Sequence, residues 1–300
     1  MIIKELEDKG LIRPQAWLSS NVHYLTIVGS VAYAATDTNV ESDLDLFGWC
    51  TPKRETIFPH TVGVIKNFGW QGEEFEQWQQ HHVFDKDALG GKGREYDLQI
   101  FSIIKYFNLL MENNPTVMDS LFTPRECVVH STEIGNMVRD NRKLFLSKRC
   151  WAKYKGYAIS QLHKMTSKKR SGKRKVVQEK YGWDLKFGMH VVRLLYEAEM
   201  ILQEGDLDLR RHSEHLKAIR RGEWTEKQVM EWAAEKEFQL EKVFFESKLQ
   251  DKPDENLIKN LLINCLEHHY GKLDNSSIIM PDRNYTVLKQ IKKILEDNKV

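Results

Sequence analysis

Two aspartates separated by one leucine, set in a run that alternates acid and apolar residues, constrain the fold more than any other feature. Asp43-Leu44-Asp45-Leu46-Phe47-Gly48-Trp49 has the period of two of a half-buried strand, which puts both carboxylates on one face. Upstream, Tyr24-Leu25-Thr26-Ile27-Val28 is a short β-branched run with the pattern of a buried strand, and it leads directly into Gly29-Ser30. A short helix is expected from Val31 to about Ala35. The polar stretch Thr36 to Ser42 then makes a loop into the acid-bearing strand.

Carboxylates paired in this way can share divalent ions. Magnesium prefers oxygen ligands and takes one or two carboxylates together with substrate phosphates. Two such ions can clamp the attacking and leaving oxygens of an in-line phosphoryl displacement. Glycine lets the backbone come close to a phosphate, and free N–H groups where a strand turns into a helix favour anions, so Gly29 and Ser30 are expected to cradle phosphates. A third acid is expected on a later strand, Arg94-Glu95-Tyr96-Asp97-Leu98-Gln99-Ile100, where Glu95, Asp97 and Gln99 share a face. Asp97 is the first choice and Glu95 its rival. Such a carboxylate acts as general base on an attacking hydroxyl or completes the shell of one metal ion. Ser102 is placed to cap a helix from Ile103 to about Met111, which Asn113-Asn114-Pro115 ends. The glycine-punctuated stretch 66–93, with Trp70, Trp78 and His81-His82, is expected to be an irregular, partly ordered surface insertion.

From about Arg142 the periodicity is helical, with helices expected at about 148–166, 184–204, 211–221, 225–247, 254–270 and 284–297. The fold class is therefore α+β: an α/β half over 1–140 and a helical half over 141–300. Composition is that of a globular protein, with 41% hydrophobic and 29% charged residues and no apolar run of membrane-spanning length. The N-terminus carries acids and has no signal-peptide core. Cys50, Cys127, Cys150 and Cys265 are widely spaced, without CxxC pairs. They are expected to be reduced, buried thiols of a cytoplasmic protein.

Net charge is only +2, yet residues 141–180 hold fourteen basic residues and a single acid, Glu179. Within that block Lys168, Lys169, Arg170, Lys173 and Arg174 lie in a segment expected to join two helices. They are candidates for contacting the phosphates of an RNA or DNA acceptor. No aromatic residue is interleaved among them, so base stacking is not indicated there. Further on, Lys186, His190, Arg193 and Glu197 form a narrow polar stripe on an otherwise apolar helix. Lys186 and Arg193 suit the triphosphate of an incoming nucleotide, against the alternative of a solvated helix edge with a local Arg193–Glu197 pair.

Gly29-Ser30-Val31-Ala32-Tyr33 followed by Glu41-Ser42-Asp43-Leu44-Asp45-Leu46 resembles the signature of the DNA polymerase beta superfamily of nucleotidyltransferases. More narrowly, it resembles a bacterial and phage family described as RNA-ligase-associated. Glu95 to Leu98, Asn114-Pro115, Leu121-Phe122-Thr123-Pro124 and Lys155 to Gln161 carry the resemblance onward, to about residue 225. The family's Ala-Tyr-Gly step departs here, with Ala34 in place of the last glycine. The resemblance implies a polymerase-beta-like fold, two bound magnesium ions (manganese as a substitute) and a nucleoside triphosphate substrate.

The expected function is transfer of a nucleoside monophosphate to a hydroxyl, with Asp43, Asp45 and Asp97 as metal ligands and RNA as the acceptor favoured by the basic block. A protein or small-molecule hydroxyl is the alternative acceptor. A catalytically silent nucleic-acid-binding module is the alternative of another class, and the intact Gly-Ser step and three acids argue against it.

Overall fold

The computed structural model describes residues 1–35, 43–72, 74–167 and 172–271, the side chains of 166–174 excepted. Among these residues five strands make one sheet: β1 (Val22–Ile27), β2 (Leu44–Cys50), β3 (Gln77–Asp85), β4 (Arg94–Ser102) and β5 (Val128–Ser131), in the order β3-β4-β2-β1-β5. β2 and β4 run parallel, and the other neighbours pair antiparallel. The helices are α1 (Ile2–Asp8), α2 (Arg54–Ile57), α3 (Ala88–Gly91), α4 (Ile103–Met111), α5 (Pro115–Phe122), α6 (Glu133–Asp140), α7 (Arg149–Ser167), α8 (Gly172–Tyr181), α9 (Leu185–Glu204), α10 (Ser213–Arg220), α11 (Glu226–Glu246) and α12 (Glu255–Tyr270). Every described element after β5 is helical, so the chain is a mixed α+β half followed by an all-helical half.

Local chemistry explains several boundaries. The Ser102 hydroxyl accepts from the Lys105 amide at 3.1 Å and starts α4. Asn114 does the same for α5, accepting from Val117 at 3.3 Å, with Pro115 preset for the first helical turn. Asp184 caps α9 through the amides of Lys186 and Phe187. The expected helices from 148 to 270 correspond to α7, α9, α10, α11 and α12, and the one expected at 284–297 lies outside the described residues.

Three expectations are corrected. The stretch 66–93 is not irregular throughout, because β3 occupies Gln77–Asp85 and pairs with β4. Its Gln-Trp-Gln-Gln-His-His start has little intrinsic strand preference, and the partner strand supplies what the local sequence lacks. Val31 to Ala35 forms a hydrogen-bonded turn and no helix, because Ala34 adopts φ +48° and cannot propagate one. Helix α8 lies inside the basic block, where no apolar stripe announced it.

The alternation of β2 sorts its side chains onto two cores. Leu44, Leu46 and Cys50 join Ile3, Leu6, Leu25, Leu98 and Ile100 on one face. Phe47 and Trp49 join Tyr24, Phe101 and Tyr106 on the other, in a cluster continuous through Met118 and Val192 to Leu266. The helical half therefore packs on the face that carries Asp45 and Asp97, with α9 at its centre against α7 and α11. No helix of the described residues is long and apolar enough to cross a membrane. All four cysteines are buried and free.

Candidate active site

In the parallel register of β2 and β4, Asp45 stands directly opposite Asp97. Both share the sheet face of Phe47, Trp49 and Phe101, but they sit at the strand starts, where the apolar cover ends. Asp43 is exposed just before β2.

Gly29 ends β1 beside them. Its φ is +73°, and a Cβ there would lie 2.6 Å from Asp45 Oδ2, so only glycine lets the turn lie against this carboxylate. The Val28 amide donates to the Asp45 carbonyl at 2.9 Å and keeps the two segments together. Within the turn, the Gly29 carbonyl accepts from Tyr33 at 3.2 Å and the Ser30 carbonyl from Ala35 at 2.9 Å. The amides of Ser30, Val31 and Ala32 donate to no backbone carbonyl among the described residues, which leaves a row of N–H groups suited to an anion.

A β-bulge aims two histidines at the acids. Between Gln80 and Val83, β3 has one residue more than β4, and His82 takes up the strain at φ +56°. The His82 amide donates to Asp97 Oδ1 at 2.8 Å, and His81 Nδ1 lies 3.5 Å from the same oxygen. His82 Nδ1 is 2.5 Å from Glu95 Oε1. Asp97 stands opposite Asp45, while Glu95 is bonded by His82.

Burial raises the Asp45 carboxyl above the ordinary aspartate range, and the charges of Asp97 and Asp43 push it further, against Lys186 and His81. The hydrogen bond to Glu95, followed by the charge of Asp97, raises the His82 imidazole. The three aspartates thus feel one another across a small, partly buried space, and Lys186 at the start of α9 faces the same space.

Arg193 does not accompany Lys186. Two turns further along α9 it points inward, 8% exposed, where its guanidinium donates to Tyr33 at 2.7 Å, to Glu197 at 3.0 Å and to Asp119 of α5. It also lies over the Tyr33 ring, 4.3 Å from the centroid. The Tyr33 hydroxyl donates to Asp119 at 2.6 Å. Burial raises the Asp119 carboxyl, opposed by Arg193 and by hydrogen bonds from Tyr33, Arg193 and Glu197. Burial likewise raises the Glu197 carboxyl well above the ordinary glutamate range, opposed by the Arg193 charge. The stripe of the sequence reading therefore divides. Lys186 belongs to the open acid site. Arg193 belongs to a sealed cluster that grips the tyrosine of the Gly-Ser turn. Only one signal pointed to Asp119, namely that it is the one charged residue in α5.

Lys168, Lys169 and Arg170 lie outside the described residues. Lys173 and Arg174 are in α8, and their side chains are not described. Among the described residues no group of three or more His, Cys, Asp or Glu is placed so that by itself it could hold a metal ion. The donor set nevertheless fits a hard divalent ion. Hard carboxylate oxygens dominate it, Gly29 leaves Asp45 Oδ2 accessible, and magnesium completes its shell with substrate phosphates without needing an all-protein cage.

A sequence model of the RNA repair pathway DNA polymerase beta family (RlaP) matches residues 4–264. The chain belongs to that family. No curated protein matches it. The family match takes in every described element of the site, from Gly29 through α9, and extends almost to the end of α12. Family membership makes the chain a nucleotidyltransferase-type protein of the polymerase beta superfamily.

Proposed function

We propose that the protein transfers a nucleoside monophosphate from a nucleoside triphosphate to a hydroxyl of RNA. The observation that carries this reading is the register of Asp45 opposite Asp97, with Gly29 laid against the Asp45 carboxylate. The family's name, RNA repair, and the basic block from 141 to 180 support RNA as acceptor.

Asp43 and Asp45, with Asp97 as third ligand or base, would hold two magnesium ions, which when bound neutralise phosphate charge and lower the pKa of the attacking hydroxyl. The amides of Ser30 to Ala32 receive phosphate oxygens, and Lys186 adds a point charge from the helical side. The His82 amide orients Asp97 through Oδ1 and leaves Oδ2 to accept the hydroxyl's proton or to ligate. Arg193 acts at a distance, by holding Tyr33 and with it the turn that carries Gly29 and Ser30. Residues 1–140 carry the chemistry in this reading, and Lys168, Lys169, Arg170, Lys173 and Arg174 of the remainder touch the acceptor's phosphates. The four buried free thiols suit a reducing cytoplasm.

The test is incubation with each α-labelled nucleoside triphosphate, magnesium and total RNA, read on a denaturing gel. Label on RNA is expected, and replacing Asp43 and Asp45 together by alanine should lower it by on the order of 10³-fold or more. Label appearing on protein and none on RNA would overturn the acceptor. Full turnover in the double variant would overturn the metal site.

A further inference from the structure

Beside Asp43, on the side away from Gly29 and Lys186, lies a cleft of about 160 Å³ lined by Asp43, Phe84, Leu89, Lys92, Gly93, Arg94 and Glu95. That is below the ordinary volume of a pocket enclosing a whole small molecule, so the cleft suits one group of a larger ligand. The strand order locates it. β3 and β4 stand on one side of β2, and β1 with the Gly29 turn stands on the other. A molecule entering over β3 and β4 meets Asp97 before it reaches Asp45.

Three features give the cleft its chemistry. Phe84 pairs across β3 and β4 with Glu95 and is therefore on the face of the acids, yet it is 59% exposed. The tip of its ring meets Gly93, where a Cβ would come within 2.5 Å of Cζ, so the glycine leaves room for the ring and most of the ring stays exposed. Lys92 and Arg94 line the same cleft, and among the described residues neither side chain has a hydrogen-bond or ion-pair partner. Glu95, the acid next to them, is already engaged by His82 at 2.5 Å. An exposed aromatic ring beside two cations that have no partner among the described residues suits single-stranded nucleic acid, the ring stacking a base and the cations taking phosphates.

We propose that this cleft binds the 3′ end of the acceptor RNA: Phe84 stacks the terminal base, and Lys92 and Arg94 hold the adjoining phosphates, so that the terminal hydroxyl is delivered at Asp97. This rests on the RNA nucleotidyltransferase reading and adds the acceptor's route to it. The triphosphate and the acceptor then approach from opposite sides of β2 and β4, the arrangement an in-line displacement requires.

The test measures binding of a fluorescent eight-nucleotide RNA at several salt concentrations, and of a nucleoside triphosphate with magnesium, for the native protein and two variants. Joint replacement Lys92→Gln and Arg94→Gln is expected to weaken RNA binding roughly tenfold and to reduce the slope of log affinity against log salt by about 1.4, two phosphate contacts at about 0.7 each on a single strand. Phe84→Ala is expected to weaken binding by roughly tenfold with the slope unchanged. Triphosphate affinity should not move in either variant, which also shows that both are folded. RNA affinity and salt slope equal to the native protein's in both variants, with label transfer intact, would overturn the cleft and leave the nucleotidyltransferase reading standing. A fall in triphosphate affinity would assign the cleft to the nucleotide and overturn it as well. Absence of any transfer to RNA by the native protein would sink the parent reading, and the cleft's role with it.

Discussion

Two groups of carboxylates, one at the end of the sheet and one under α9, solve the same electrostatic problem in opposite ways. Asp43, Asp45 and Asp97 sit at an open end of the sheet with Lys186 facing them, and burial with mutual repulsion leaves Asp45 raised. Asp119 and Glu197 lie fully inside against the Arg193 charge, and burial raises both carboxyls. Isolated charge is costly in a low-dielectric interior, so the sealed cluster must be neutralised by its own residues. The open one can wait for a ligand. The difference separates the part of the site that spends its charge on structure from the part that keeps it for chemistry.

The sharpest way to break this contrast is to remove one member from each. Arg193→Met leaves two buried carboxyls without their cation and should cost about 3–5 kcal/mol of stability, measured by urea unfolding. Asp45→Asn should leave unfolding within about 1 kcal/mol of the native protein, with its effect falling on transfer alone. Equal destabilisation by the two would erase the distinction.

A smaller effect is expected from Glu197→Gln. The Glu197 carboxyl is raised in the folded state, so its contribution is most favourable below the ordinary glutamate range and is lost as pH rises above that range toward the raised value. The amide cannot ionise. The variant should therefore match the native protein near pH 4 and be the more stable of the two at pH 8. A pH-independent difference would mean that the fold does not raise the Glu197 carboxyl. The smallest effect is expected at Ala34, which pays for φ +48° where the family has glycine. Ala34→Gly should raise the unfolding midpoint by about 2 °C without lowering transfer, and a fall in the midpoint would show that the turn tolerates alanine.

The acid strand and its partner were legible because alternation of charged and apolar residues is a local signal. It put Asp43 and Asp45 in β2 or at its edge, and Glu95, Asp97 and Gln99 on one face of β4. The cap at Ser102 was legible because a capping hydroxyl is also a local signal, whereas Asn113-Asn114-Pro115 was read only as the end of one helix, and the Asn114 cap of the next came from the structure. What stayed hidden depends on contacts between distant segments. Gln77 to His82 becomes a strand only by pairing with β4, so the bulge histidines could not be seen as neighbours of Asp97. Helical periodicity put Lys186 and Arg193 on one stripe, but it could not show that Asp119 and Tyr33 cover the stripe two turns along. The family resemblance singled out Tyr33, and only the fold explains it.

That tyrosine makes the two halves inseparable as working parts. Its hydroxyl is anchored in α5 and its ring lies under a guanidinium from α9, while the backbone four residues earlier touches Asp45. A chimaera that grafted this sheet onto a relative's helices would inherit every acid at the strand starts and still misplace the Gly29-Ser30 turn, unless the bolt at Asp119, Arg193 and Glu197 travelled with it.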